Sequence, residues 1–226
     1  MQLHFPKERA ENPVHRKKTH VPEEVEYEPK WRIGLGLVDR ILARKLPHRA
    51  VAADANYGRA GEFRKALRDW KEAYVLGVQP TQTAVAVLGK DGRPTKARKL
   101  SEVAKGLPEK TRKRADWSQG TKGKLTMEAA RLRSKVCAEG KPIEKEGKVW
   151  VVLEGTENET KAHVIWELDG LGLRTQVQLI RARWGIELWF EDGKSELGLD
   201  QFEGWTWPGW HHNATTVMLA HGFLTG

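Results

Sequence analysis

Cysteine and long apolar segments are nearly absent from this chain of 226 residues. Cys137 is the single cysteine, which excludes an internal disulfide framework and a zinc site built from several cysteines, and it fits a reducing compartment. No apolar run approaches the ~20 residues of a membrane span, and the polar N-terminus lacks the apolar core of a secretory signal. The sequence therefore predicts a soluble, cytoplasmic protein without a membrane partner.

Patterns typical of several enzyme classes are also missing. The sequence contains no glycine-rich phosphate loop, no serine-hydrolase elbow and no HExxH zinc pattern. His211, His212 and His221 do not change this, because adjacent histidines on a helix point about 100° apart. We therefore expect neither a zinc enzyme nor a small-molecule substrate.

Basic residues are concentrated in the middle of the chain. Residues 90–148 contain 18 Lys and Arg against 8 Asp and Glu, a surplus of +10, whereas the whole chain carries +9. A basic block of this kind is typical of contact with nucleic-acid phosphates. A solvated insert without a binding role is the alternative, and the charge count leaves it open.

Helix and strand patterns alternate early in the chain. Their spacing predicts, in order, an amphipathic helix over 28–45, a strand over 49–54, a helix over 61–70 and a buried strand over 73–78. This alternation is typical of an α/β layer with at least partly parallel strands. Further along, apolar runs predict antiparallel strands at 82–89, 149–155 and 162–168, separated by basic loops.

These patterns predict an α/β fold whose mixed-sheet core is interrupted by a β-rich insertion. We divide the chain accordingly into an extended entry segment at 1–26, the first part of the core at 27–79, the basic β-rich insertion at 80–169 and a helical C-terminal part of the core at 170–226.

Asp54 is the first candidate functional residue, because it directly follows the short strand predicted at 49–54. In open α/β sheets, functional groups gather just beyond the carboxyl ends of strands. The alternative is that Asp54 caps the next helix or turn, and position alone does not separate the two.

A second candidate group lies on a helix predicted over about 175–197. At about 100° per residue, Arg183 and Glu187 lie roughly 40° apart around this helix, and Glu187 and Lys194 roughly 20° apart. A carboxylate between two cations suits a metal ion beside a phosphate, whereas a solvated face with intrahelical ion pairs is the alternative.

Tryptophan is abundant around and after this helix. Five of the ten tryptophans fall within residues 179–210, where they either pack a turn against the core or stack on unpaired bases. A final apolar helix over 211–224 follows, and the sequence predicts that its largest apolar side chains belong to the core: Val217, Met218, Leu219, Phe223 and Leu224.

Three sequence blocks carry a resemblance to a known family. VAADANYG (51–58), RARWGIELWFEDGK (181–194) and ELGLDQFEGWTWPGWHHNATTVMLA (196–220) resemble the catalytic core of bacterial insertion-sequence DDE transposases. The similarity is to the branch with a Y-R-E-K signature and a β-rich insertion in an RNase H-like fold. It implies end cleavage and strand transfer in DNA transposition, by a nucleoid-associated protein that acts as a homodimer on transposon ends and target DNA.

The resemblance also implies roles for individual residues. Asp54 matches the second catalytic Asp and Glu187 the catalytic Glu, both metal ligands in a site for two Mg²⁺ ions with Mn²⁺ as a substitute. Arg183 and Lys194 match the Arg and Lys of the signature and would hold the DNA backbone. We expect further DNA contacts from the basic insertion, at Arg112, Lys113, Arg114, Trp117, Lys122 and Lys124.

Two departures from the family pattern bear on activity. The tyrosine of the signature falls at Ile180, and no Asp precedes Asp39, which itself lies inside the predicted helix over 28–45. The first catalytic Asp of the family therefore has no match here. We expect an N-terminally truncated catalytic domain, and the rival interpretation is a catalytically dead DNA-binding remnant.

Overall fold

The chain forms two compact units. The structure, a computed structural model, describes residues 4–120, 123–155 and 159–225. One unit comprises residues 34–183 and contains the β-sheet, and the other combines residues 1–33 with 184–226. We refer to them as the sheet unit and the helical unit.

The helices and strands alternate along much of the chain. In order, the helices are α1 (Lys7–Ala10), α2 (Pro13–Lys18), α3 (Lys30–Ala43), α4 (Ala55–Gly58), α5 (Gly61–Asp69), α6 (Leu100–Lys105), α7 (Leu173–Ala182), α8 (Trp184–Ser195) and α9 (Trp207–Thr225). The strands are β1 (Val51–Ala53), β2 (Tyr74–Val78), β3 (Ala84–Val87), β4 (Arg98–Lys99), β5 (Lys113–Gly120), β6 (Gly123–Ala138), β7 (Lys141–Pro142), β8 (Val149–Glu154) and β9 (Lys161–Trp166).

The sheet unit is built on a mixed nine-stranded sheet with the order β1-β2-β9-β8-β6-β3-β4, and β5 and β7 pair with β6. β1 and β2 are parallel, and the other described pairs are antiparallel. The mixed α/β fold, the parallel first strands and the antiparallel strands of the insertion are therefore confirmed. Where the sequence left helix or strand open near 127–135, the chain forms the long strand β6.

One hydrophobic core cluster of the sheet unit forms where α7 packs on the sheet. β2 is buried along its whole length, as its apolar run predicted. Val177 and Ile180 of α7 join Val75, Val152 and Ile165 of the strands in one buried cluster. This packing fixes the end of α7 near the ends of β1 and β2, where the candidate site lies.

The helical unit differs from the sequence prediction at its beginning. Residues 7–10 and 13–18 are helical rather than extended. Asn12 caps α2 by accepting the N–H of His15 at 3.0 Å, and Pro13 occupies the first helical position, where proline is favoured. The Arg16 guanidinium then ties the segment together by donating to the carbonyl oxygens of Ala10, Pro22, Glu23 and Val25.

The helix predicted over 175–197 is two helices, and the prediction of one continuous helix is wrong. α7 ends at Ala182 and α8 begins at Trp184, so that Arg183 lies at the break. Gly185 follows two residues later, and its low helix propensity weakens continuation of the helix at this point.

The apolar residues of α9 are mostly exposed, contrary to the prediction that they form core. Val217 is buried, but Met218, Leu219, Phe223 and Leu224 are 46%, 70%, 89% and 71% exposed. The apolar residues of α9 are distributed all around the helix, so its sequence carries no amphipathic signal that separates inner from outer positions. Among the described helices, none is both long and apolar enough to span a membrane. The four-part division of the chain remains a prediction.

Candidate functional site

Asp54 lies at the carboxyl end of β1 and also caps α4. Its Oδ1 accepts the backbone N–H of Asn56 at 2.8 Å, and the Asn56 side-chain amide donates to Oδ2 at 3.4 Å. Asp54 therefore occupies both the strand-end position and the helix-capping position that the sequence left as alternatives. A cap uses one oxygen at close range, which leaves most of the coordinating capacity of the second oxygen available.

Two glycines hold the turn that carries Asp54 against β2. A Cβ atom on Gly58 would overlap the carbonyl oxygen of Gly77. A Cβ atom on Gly77 would lie 3.0 Å from the Ala55 nitrogen and 3.2 Å from the Asp54 carbonyl carbon. At Gly58 only glycine permits such a close approach, and at Gly77 a side chain would require its neighbours to shift by a few tenths of an ångström, so backbone packing helps to fix the location of Asp54.

A cavity of about 300 Å³ opens beside Asp54. Its walls come from the ends of β1 and β2, the beginning of β9 and the last turn of α7. Gly77 pairs directly with His163 across the β2–β9 ladder, and because Gly77 has no side chain it leaves space between the Asp54 turn and the imidazole. Within the part of the chain that the structure describes, the ionisable groups that line the cavity are Asp54, Lys161, His163 and Arg183.

The charges of this cavity fit a phosphate. Lys161 and Arg183 are cationic, and His163 becomes so when protonated, while Asp54 is the one carboxylate among the described lining residues. Arginine and lysine are the usual partners of phosphate oxygens, and a carboxylate among them suits a metal ion that bridges to the same phosphate. The structure thus brings Asp54 and Arg183, two of the sequence candidates, to one cavity.

A buried ion cluster holds His163, and sequence reasoning missed it. His163 Nε2 lies 2.5 Å from Glu154 Oε1, and Arg181 Nη2 lies 2.8 Å from Glu154 Oε2. Burial of Glu154 raises the pKa of its carboxyl. The hydrogen bond from His163 and the positive charges of His163, Arg181 and Lys161 lower the pKa by more than burial raises it. The pKa of Glu154 therefore lies below its usual value. Glu154 therefore remains ionised beside the imidazole.

The signal for this cluster was present but incomplete. The sequence predicted both strands of the β8–β9 hairpin, yet not their register, which pairs Val152 with His163 and Glu154 with Lys161. This register makes Glu154 and His163 diagonal neighbours on one face of the sheet. A one-residue slip would place them on opposite faces.

Tyr57 is a further neighbour of Asp54 that sequence reasoning did not select. Burial of the Tyr57 phenol and, secondarily, the negative charge of Asp54 raise its pKa. Its ring packs against Phe63 with a centroid distance of 5.6 Å. Tyr57 therefore stays neutral and forms part of the wall that supports the α4 turn.

Glu187 and Lys194 lie on α8, in the helical unit. Glu187 is in the first turn of the helix and Lys194 in the last, where the helix dipole favours a negative and a positive charge respectively. Both side chains are exposed. Arg183 precedes α8 and belongs to the sheet unit, so the stripe of three residues on one helix is not formed as predicted.

The basic insertion places its candidates on and beside β5. Lys113 and Arg114 are exposed, Arg114 Nε donates to Thr126 Oγ1 at 3.0 Å, and Lys124 lies 3.2 Å from Asp116. Arg112 donates to the Gly155 carbonyl oxygen, and Trp117 packs against the core cluster beneath Arg181. Lys122 lies outside the described residues. The DNA-binding roles of these residues remain predictions.

The candidate metal ligands are of a suitable kind but too few within either unit. Carboxylate oxygens such as those of Asp54 and Glu187 are the ligands that Mg²⁺ prefers. The sheet unit supplies one residue of this pair and the helical unit the other. Across residues 4–120, 123–155 and 159–225, no group of three or more His, Cys, Asp or Glu side chains is arranged to hold a metal ion.

A family model described as DDE superfamily endonuclease matches residues 1–124. The matched range includes β1, Asp54 and β2, and it agrees with an RNase H-like α/β core. It ends before α7 and α8, so that Arg183, Glu187 and Lys194 lie beyond it. No curated protein matches the chain.

Proposed function

This chain belongs to the DDE superfamily of endonucleases, and from that premise we propose that it is the catalytic part of a DNA transposase. Membership indicates nuclease-type or transposase-type chemistry on DNA, in a superfamily that generally uses divalent metal ions. The proposal adds the specific reaction, which is cleavage of transposon ends and strand transfer to target DNA. It also adds the branch: bacterial insertion-sequence enzymes with a Y-R-E-K signature, acting as homodimers.

The cavity beside Asp54 carries this proposal. A phosphodiester in the cavity would meet Lys161, His163 and Arg183, while Asp54 would face the same phosphate from the strand end. Because Asp54 and phosphate are both negative, they approach each other favourably only with a cation between them. The charged groups of the lining therefore fit a DNA phosphate together with a divalent metal ion.

Each residue then has a distinct role. Asp54 and Glu187 would be ligands of the Mg²⁺ site, for which Mn²⁺ would substitute, and when bound the ions would activate the attacking oxygen and stabilise the leaving one. Arg183 and Lys194 would contact the DNA backbone and fix its register. Glu154 would hold the His163 imidazole toward the phosphate, and the basic residues of β5 would extend the DNA contact.

A second candidate is a DNA-binding protein without catalysis. The sequence contains no Asp before Asp39, and the described residues offer no three-ligand group. Under this alternative the basic insertion and the Asp54 cavity bind DNA, but no strand is cut. The two candidates differ in how DNA affinity and cleavage respond to metal.

The test measures the affinity of the full chain for a labelled DNA duplex by fluorescence anisotropy in EDTA, Mg²⁺ or Ca²⁺, and assays cleavage in Mg²⁺ and Mn²⁺. We expect metal to tighten DNA binding about fivefold or more, and Asp54→Asn to abolish the tightening. We expect no cleavage by this chain alone, because the first carboxylate of the family is unmatched in its sequence.

The controls separate metal binding from helix capping. Asparagine caps helices as well as aspartate does, so Asp54→Asn should leave stability unchanged, whereas Asp54→Ala should cost about 1 kcal/mol. An identical metal response in Asp54→Asn and the original protein would contradict the assigned role of Asp54. Strand cleavage that disappears in Asp54→Asn would exclude the non-catalytic candidate.

A further inference from the structure

A second cavity, in the helical unit, combines aromatic walls with basic groups. It has a volume of about 490 Å³, within the range of small-ligand sites. Its aromatic side chains come from Phe5 and from three tryptophans of the segment between α8 and α9 and the first turn of α9. Arg9, His15 and Lys18 line it as well, and none of the described lining residues is acidic. We call it the tryptophan pocket.

Ring contacts fix the floor of the tryptophan pocket. Phe5 is buried and meets Trp207 edge to face at 5.7 Å between ring centroids. Trp207 in turn contacts His211 at 4.6 Å, and its backbone N–H donates to the Thr19 carbonyl oxygen at 2.8 Å. Phe5, Trp207 and His211 therefore pack against one another, which is the packing role that the sequence analysis offered for the tryptophan cluster.

Trp205 does not belong to this packed floor. Its side chain is 59% exposed, and the Lys18 ammonium lies 4.7 Å from the centroid of its ring. An exposed indole with a cation at its face offers both a stacking surface and a positive charge in one place. Neither burial nor a core contact accounts for a tryptophan at this position.

Together these groups select for one kind of ligand. Aromatic surfaces favour a flat, unpaired base, because every nucleobase has a π-face available for stacking. Arg9 and Lys18 favour a negative group, and the absence of acidic lining residues among those described removes the repulsion that a phosphate would meet. A nucleotide has both features, because a single sugar joins its flat base to its phosphate.

We propose that the tryptophan pocket binds one unpaired nucleotide of the DNA substrate, with its base stacked on Trp205 and its phosphate near Arg9 and Lys18. This rests on the proposed function, because it takes DNA as the substrate. It adds a site for single-stranded DNA that is separate in the sequence from Asp54 and from the basic insertion. DNA with a frayed or overhanging end is the form that supplies such a nucleotide.

The test compares two duplexes of equal length, one blunt and one with a short thymidine 3′ overhang, in a buffer containing EDTA. Without metal, the outcome does not depend on the Asp54 site. Since stacking contributes about 1–3 kcal/mol per base, we expect the full chain to bind the overhang duplex about tenfold more tightly than the blunt one. Trp205→Ala should remove this preference, and Trp205→Phe should retain most of it.

Matched controls distinguish stacking from a general loss of binding. Trp70→Ala removes another partly exposed tryptophan, which lies in the sheet unit, and it should leave the preference intact. An overhang of abasic nucleotides should lose the preference with the original protein, and Trp205→Ala should then have no further effect. Lys18→Ala should reduce the slope of log affinity against log salt concentration for the overhang duplex by about 0.7. Lys17→Ala, at a neighbouring residue outside the pocket lining, should leave this slope unchanged.

Each other outcome decides against the proposal. Normal binding of both duplexes without a preference, or a preference that survives Trp205→Ala, overturns the pocket and leaves the proposed function standing. Equal loss in Trp70→Ala overturns it as well. Efficient competition by thymidine monophosphate assigns the pocket to free nucleotides instead of DNA. A chain that binds neither duplex overturns both the pocket and the proposed function.

Discussion

Asp54 and Glu187, the two carboxylates of the proposed metal site, are held in different ways. Asp54 follows a strand and is fixed by two glycines that bring its turn against β2. Glu187 lies on the exposed helix α8, between Ile186 and Leu188, which are 56% and 45% exposed. The sheet unit therefore positions its carboxylate by close backbone packing, whereas the helical unit presents its carboxylate on an exposed helix.

This contrast has a practical consequence for mutagenesis. Changes around Asp54 alter the fold and the site together, so their effects on function must be separated from effects on stability. Changes on α8 leave packing largely untouched, because exposed positions contribute little to stability. Substitutions at matched pairs of positions, one packed and one exposed, therefore test this difference.

The largest expected effect is at Gly58. Gly58→Ala places a Cβ atom on the Gly77 carbonyl oxygen, and because backbone lies on both sides the chain cannot adjust cheaply. We expect a loss of about 3 kcal/mol or more, which corresponds to a fall in Tm of roughly 6–12 °C for a chain of this size. Thermal unfolding followed by circular dichroism measures it.

Gly185 in α8 is the matched control. A Cβ atom there meets nothing within 4 Å, so Gly185→Ala should preserve Tm or raise it, by up to about 1 kcal/mol of helix propensity. If Gly58→Ala unfolds at the same temperature as the original protein, the packing account of Asp54 is wrong.

The next effect concerns the buried ion cluster. Glu154→Gln removes the charge that pairs with His163 and Arg181, and we expect a loss of about 2 kcal/mol near pH 7, less than for a fully buried pair because Arg181 is partly exposed. Denaturant unfolding at several pH values measures the difference. Glu128→Gln on the neighbouring strand β6 is exposed and should show no such loss.

The pH dependence of this difference follows from the sign of the pKa shift. The pKa of Glu154 is lower in the folded protein than its usual value of about 4.5. Its contribution is therefore complete above pH 4.5 and is lost as the pH falls through the folded pKa. The stability curves of the original protein and Glu154→Gln should converge in acid, and curves that stay parallel to pH 3 would contradict the role given to this carboxylate.

The smallest expected effect on stability is in α9, which contains both buried and exposed apolar side chains. Val217→Ala removes two methyl groups at a buried position and should cost about 1.5 kcal/mol. Phe223→Ala removes a much larger side chain that is 89% exposed, and it should change stability by less than about 0.5 kcal/mol. The opposite ranking in a denaturant titration would restore the prediction that Phe223 belongs to the core.

The sequence predicted the elements of the sheet unit well because their apolar residues follow simple periods. β2 is a continuous apolar run, α5 and α7 have one apolar face, and Asp54 follows a strand, so each could be identified locally. The pairing of Glu154 with His163 could not, since it depends on the register of two strands. The exposure of Phe223 could not either, because hydrophobicity does not reveal which neighbours a helix has.

The most direct test of the proposal that Asp54 is a ligand of a divalent metal ion is cleavage of the chain by bound iron. Fe²⁺ replaces Mg²⁺ at oxygen ligands, and with ascorbate and peroxide it generates radicals that cut the backbone near the ion. In the presence of DNA, we expect cuts near residue 54 that excess Mg²⁺ suppresses and that Asp54→Asn removes. Cuts confined to His211 and His212, or cuts near residue 54 that persist in Asp54→Asn, would contradict this role.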